Sequence, residues 1–147
     1  MAVSQITINT PLGKDELQIA SMQGAEQLGR LFQYDLDLYS KNPEIDIDKI
    51  LGKNVTVKLA LSNGETRYFN GFVSRFSQAS QAEEGTYHSY EATLHPWLWF
   101  LTRTSDCRIY QQKKVPDIIK QIFGDNGFSD VEDKLSGTYR EWEYGVQ

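Results

Sequence analysis

Two imidazoles, His88 and His95, and one thiol, Cys107, are the groups in this chain that could serve as an imidazole base, a thiolate nucleophile or a His/Cys metal ligand. A nucleophile needs a base held against it and a third group to orient that base. His88 falls inside an alternating run, His95 directly precedes Pro96, and no GxSxG elbow occurs. A strand between the two histidines holds them apart rather than on a shared metal. Cys107 heads a short apolar segment without a partner motif, the setting of a buried structural cysteine. A single cysteine allows neither an internal disulfide nor a thiolate cluster.

The carboxylates do no better. The run Glu44-Ile45-Asp46-Ile47-Asp48 has the acidic alternation of a calcium loop, but its sixth position is Lys49, where an EF-hand loop needs glycine. Asp46 or Asp48 is expected instead to cap a short helical turn. Gly13-Lys14 and Gly52-Lys53 lack the upstream glycine of a phosphate loop. Glu83-Glu84 sits in a polar stretch that offers no desolvation to shift a carboxyl pKa. The reading is therefore of a protein that is not an enzyme and holds no cofactor and no metal.

Net charge narrows the partners. At −5, with no basic run longer than Lys113-Lys114, the chain lacks the cationic footprint that supplies most nucleic-acid affinity. No apolar run approaches the roughly 20 residues of a membrane-spanning helix, and the first 20 residues do not form a secretory leader. Two features remain. One is the polar side of an early strand, Asp35, Asp37 and Tyr39, a candidate oligomer interface. The other is the aromatic knot His95-Pro96-Trp97-Leu98-Trp99, in which Pro96, Trp97 and Trp99 are a candidate structural hinge.

Period-two alternation places these residues. Ile6 and Ile8 start a strand that Pro11-Leu12-Gly13 breaks, and Leu17 and Ile19 begin a second that runs to Gly24. Residues 31–39 alternate most cleanly, with Phe32, Tyr34, Leu36 and Leu38 on one face and Gln33, Asp35, Asp37 and Tyr39 on the other. After a connector with one helical turn near 47–51, Val55, Val57, Leu59 and Leu61 alternate again. Asn63-Gly64 then predicts a type I′ hairpin. The return strand, 67–76, contains Gly71, which implies a bulge or a close backbone approach. Residues 77–86 read as a loop and 87–94 as a strand.

Beyond Pro96 the pattern changes. Residues 97–101 are apolar but too few for a free helix, and 107–110 form a short strand. Val115, Ile118, Ile119 and Ile122 make a helical stripe with Pro116 in the first turn and Gly124 and Gly127 at the end. Residues 138–147 are aromatic and strand-like, and the run stops as though inside a longer chain. The fold class is mainly β (α+β): an antiparallel β-barrel over residues 1–102, then the beginning of a small α/β domain over 103–147.

Six ordered segments carry a family resemblance: Leu31-Phe32-Gln33-Tyr34-Asp35-Leu36; Ile50-Leu51-Gly52-Lys53 with Val55-Thr56-Val57; Phe69-Asn70-Gly71-Phe72-Val73-Ser74; Tyr90 to Leu101 through Pro96-Trp97-Leu98-Trp99; Cys107-Arg108-Ile109-Tyr110 with Val115-Pro116-Asp117-Ile118-Ile119; and Tyr139-Arg140-Glu141 through Val146-Gln147. Together they resemble the N-terminal, phage tail-hub-like region of the VgrG spike proteins of type VI secretion. The resemblance implies a tail-hub barrel without an active site, in a protein that forms homotrimers. It implies contact with the hexameric Hcp tube and, through the longer chain, with a PAAR tip protein, effectors and baseplate proteins. Such a spike is assembled in the cytoplasm and then secreted without a signal peptide. A contractile phage tail hub is the alternative machine. A carbohydrate- or small-ligand-binding barrel using Trp97, Trp99 and Trp142 is the alternative class.

Overall fold

The computed structural model describes residues 5–80 and 87–146. The chain divides into two compact units, Met1–Trp99 and Phe100–Gln147. The first is built on a six-stranded, wholly antiparallel sheet: β1 (Ile6–Asn9), β2 (Gln18–Ala25), β3 (Gln33–Ser40), β4 (Asn54–Ala60), β5 (Thr66–Ser80) and β6 (His88–His95). Their spatial order is β1-β4-β5-β6-β3-β2. The sheet curls into a half-barrel whose edge strands, β1 and β2, do not pair with each other.

Alternation decides what lies inside. Leu36, Ile50, Val55, Val57, Val73 and Leu94 are the most completely buried side chains. On β3, Tyr34, Leu36 and Leu38 face this core while Gln33, Asp35 and Asp37 are exposed, the division expected from period two. Register is fixed by the same burial, because a slip of one residue would expose the whole apolar set. Gly71 marks a close approach. A β-carbon there would lie 3.0 Å from the His95 carbonyl oxygen, 3.2 Å from Leu94 Cβ and 3.3 Å from Phe32 Cε2. The bulges of β5 fall elsewhere, at Val73/Arg75 and Gln78/Ser80. Gly71→Val is expected to destabilise the fold by about 1–3 kcal/mol through overpacking, measured as a lower urea midpoint.

Several local expectations need correcting. The β4–β5 hairpin forms, but not with a type I′ turn: Gly64 is left-handed (φ 86) and Asn63 is not. Gly64 N–H donates to Leu61 C=O at 3.0 Å and Leu61 N–H to Glu65 C=O at 2.8 Å. That is a three-residue loop ending on a left-handed glycine. Residues 77–80 continue β5 rather than opening a loop, and Glu83-Glu84 lies outside the described residues. The connector turn is a 3₁₀ helix, Ile47–Lys49, capped by Asp46, which accepts from the Asp48 N–H at 3.1 Å. Residues expected to form only an apolar knot make a longer 3₁₀ helix, Trp97–Arg103.

In the second unit, β7 (Ile109–Tyr110) pairs with β10 (Gly145–Val146), and β8 (Lys113–Lys114) with β9 (Glu141–Trp142). Helix α1 spans Val115–Asp125 with Pro116 in its first turn, and the left-handed Gly127 (φ 79) follows it. Its apolar stripe is only partly covered. Val115 and Ile119 are exposed and Ile118 and Ile122 only half-buried, so the stripe opens on an apolar groove of about 340 Å³ shared with residues 131–139. Cys107 is exposed rather than buried. Arg108 bridges Asp106 and Asp125 at 2.6 Å each, which ties the chain before β7 to the end of α1.

Candidate interaction face

The outward face of β3 forms the middle of a polar surface. Register places Asp35 between Gln23 of β2 and Thr93 of β6, and Arg75 of β5 follows Thr93. One pleat further on, Asp37 lies between Ser21 and Glu91, with Ser77 beyond. Both carboxylates are held. Asp35 accepts from Thr93 Oγ1 at 2.9 Å and from Gln33 Nε2 at 2.9 and 3.2 Å. Asp37 accepts from Ser21 Oγ.

Gln23, Asp35, Asp37, Arg75, Glu91 and Thr93 line a shallow depression of about 280 Å³. Three carboxylates and one guanidinium meet there, and Asp37 faces Glu91 directly across the strand pair. Like charges in facing positions destabilise a sheet by a few tenths of a kcal/mol or more. Leu36 and Ala92 complete the lining of this mostly polar depression, and no thiol or imidazole faces it, so it suits contact with a protein surface better than capture of a small molecule. Arg75 and Glu91 were missing from the sequence reading, because only the cross-strand register brings them beside Asp35 and Asp37. Outward alternation of Glu91 against Tyr90, Ala92 and Leu94 was the available signal.

The third residue of the expected interface lies apart. Tyr39 packs edge-on against Tyr87, ring centres 5.4 Å apart, and Lys41 stands over the Tyr87 ring at 5.7 Å. Pro96 and Trp97 are half-buried. Trp99 stacks on His95 at 4.7 Å and 18°, and His95 Nδ1 lies 2.7 Å from Ser74 Oγ. Trp142 carries the Arg140 guanidinium over its ring at 4.5 Å. One face of each of Trp99 and Trp142 is thus engaged by a neighbouring side chain. His88 and His95 stand at opposite ends of β6, about 23 Å apart at strand rise. Among the described residues no group of three or more His, Cys, Asp or Glu side chains is arranged to hold a metal ion. No helix among them is long and apolar enough to cross a membrane.

At the end of the sheet, Tyr34 braces the β2–β3 connection. Its hydroxyl donates to Glu26, and Glu26 pairs with Arg67 at 3.5 Å. Arg67 in turn lies 4.6 Å over Phe69. Burial, then the Glu26 hydrogen bond, push the Tyr34 hydroxyl up to about 12. A raised pKa favours the fold while the hydroxyl stays protonated. The contribution is whole below the ordinary tyrosine value near 10 and is lost as pH rises through about 12. In an ultraviolet titration Tyr34 is expected to ionise late, near pH 12, and Tyr34→Phe should remove one hydroxyl from the late phase.

The model of the phage tail baseplate hub (GPD) family matches residues 25–147. The type VI secretion system spike protein VgrG1c of Pseudomonas aeruginosa is 55% identical over 142 residues, 97% of this chain and 19% of that protein. VgrG1b of the same organism is 54% identical over 151 residues, 100% of this chain and 20% of that protein. The chain thus spans about a fifth of the length of these curated relatives. Among solved structures, the E. coli c3393 protein superposes with a TM-score of 0.76 at 23% identity, over 96% of this chain and 38% of that one. It is described as a component of the type VI secretion system with structural similarity to the T4 bacteriophage tail proteins gp27 and gp5. That likeness establishes the tail-hub fold.

Proposed function

The chain belongs to the phage tail baseplate hub family, and from that membership we propose that it is a structural part of a type VI secretion spike. In this reading it forms part of a trimeric hub that joins the Hcp tube to the puncturing needle. The PAAR tip, effectors and baseplate proteins engage the longer protein. The identity to VgrG1c across 97% of the chain carries the proposal. A phage tail hub at this level of family membership would share the fold, and the VgrG relatives favour the secretion machine.

The hub does mechanical work, so its chemistry is that of surfaces. The depression around Asp35 and Asp37 is the lateral contact in this proposal. It presents fixed, hydrogen-bonded carboxylates to a neighbouring subunit and leaves the Asp37–Glu91 repulsion to be relieved there. Tyr39, packed on Tyr87, is a peripheral member of that contact. Residues Pro96, Trp97 and Trp99 are the hinge, at the boundary where the two units divide. The protein is made in the cytoplasm and leaves it as part of the spike rather than through a cleaved leader. Mixing the complete protein with purified Hcp hexamers and following co-elution tests the role. A shared peak is expected, and separate elution of two folded proteins would contradict it.

A further inference from the structure

We propose that Asn63 is a site of spontaneous deamidation, the one among three Asn-Gly steps, Asn63-Gly64, Asn70-Gly71 and Asn126-Gly127, that the fold leaves able to react. In an Asn-Gly step the glycine nitrogen, once it has given its proton to hydroxide, attacks the side-chain carbon Cγ. The new N–C bond closes a five-membered imide, the bond from Cγ to Nδ2 breaks, and Nδ2 leaves as ammonia with a proton from water. Water then opens the imide at either carbonyl and leaves aspartate or isoaspartate, so water is the only reagent. Glycine suits the attack because it has no β-carbon to hinder the backbone conformations required. The side chain must swing toward the next nitrogen, and that nitrogen must give up its own hydrogen bond. The rate therefore follows the cost of opening the local structure.

All three asparagines are exposed, so access of water does not choose among them. Asn70 is held by the neighbouring strand. Its amide donates to Asn54 Oδ1 and Thr56 Oγ1 at 2.8 Å each and to Val55 C=O at 3.3 Å, and Gly71 is buried opposite Val55 in the β4–β5 ladder. Freeing that step means opening the sheet. Asn126 is tied to the end of α1. Its amide donates to Ile122 C=O at 2.8 Å, and its backbone N–H to Ile122 and Phe123 C=O at 3.2 Å each. Gly127 N–H and Phe128 N–H close the same turn, on Gly124 and Phe123 C=O at 2.9 Å each. Among the described residues, the bonds that hold Asn63-Gly64 stay inside the hairpin loop. Asn63 Nδ2 donates to Glu65 Oε2 at 2.8 Å and Asn63 Oδ1 accepts from Glu65 N–H at 3.0 Å, while Gly64 N–H donates to Leu61 C=O at 3.0 Å. Residues 61–65 are all exposed, so this loop opens without disturbing the core. The product changes the loop: aspartate at 63 sets a second carboxylate beside Glu65 in place of a donor. Isoaspartate routes the backbone through an extra methylene between β4 and β5.

Incubating the protein at mildly alkaline pH in heavy-oxygen water, then mapping its peptides by mass spectrometry, tests the proposal, because each event exchanges an amide nitrogen for a solvent oxygen. The same chain unfolded in urea is the reference. In the folded protein Asn63 should deamidate at least about tenfold faster than Asn70 or Asn126, whereas in urea the three rates should converge. Asn63→Gln, which would have to close a six-membered ring, should remove the hairpin signal and leave the other two steps unchanged. Equal rates at Asn63 and either other step in the folded protein would overturn the proposal. So would an intact Asn63 after a time in which the unfolded chain has reacted, since the Glu65 contacts would then lock the loop.

Discussion

Leu94→Ala is expected to remove about 3 kcal/mol of stability, within the range for truncating a fully buried leucine. Leu94 is 0% exposed and sits on the central strand β6, facing Tyr34 on one side and Val73 on the other. It also forms one wall of the close approach at Gly71. The surrounding strands cannot collapse into the vacated space without disturbing the β5–β6 and β3–β6 pairings, so the cavity term should persist. Against a total stability of about 5–15 kcal/mol for an ordinary domain, such a loss is severe. Urea unfolding followed by tryptophan fluorescence should show the midpoint falling with little change in slope. A shift of less than about 1 kcal/mol would mean that the site repacks and that β6 is not the centre of the core.

Asp37→Lys should have the opposite signature, with the fold intact and assembly lost. The substitution gives up the Ser21 hydrogen bond but places a cation opposite Glu91, where two carboxylates now face each other. Opposite charges in that position are worth roughly 0.2–1 kcal/mol, so the melting temperature of the subunit should hold or rise slightly. In a lateral contact, reversing a charge at the centre costs about 2 kcal/mol or more, which weakens association at least about tenfold. Gradients of concentration on a sizing column with in-line light scattering would separate the two effects. A lower melting temperature with assembly unchanged would make Asp37 a structural residue and move the interface elsewhere.

Strands were legible because burial on one face imposes period two, and β3 follows it without exception from Gln33 to Leu38. The mainly β class and the tail-hub relationship followed from the same segments, and the family match and the superposition bear them out. What failed was local. The turn at Asn63-Gly64 depends on loop length as well as on residue type, and three loop residues shifted the left-handed demand onto Gly64 alone. Cys107 looked buried because Ile109 follows in an apolar segment, yet Ile109 is itself 61% exposed. The α1 stripe has the right spacing for a core face, but spacing states only that a face is apolar, not what covers it. Likewise Asp35 and Asp37 could be read from one strand, whereas Arg75 and Glu91 join them only through the β5–β6–β3 register.

The native mass of the protein encoded by the complete reading frame, measured by light scattering at micromolar concentration, tests the central claim most directly. The proposed trimeric hub predicts a mass three times that of one chain with no monomer at equilibrium. A stable, folded monomer would contradict the account.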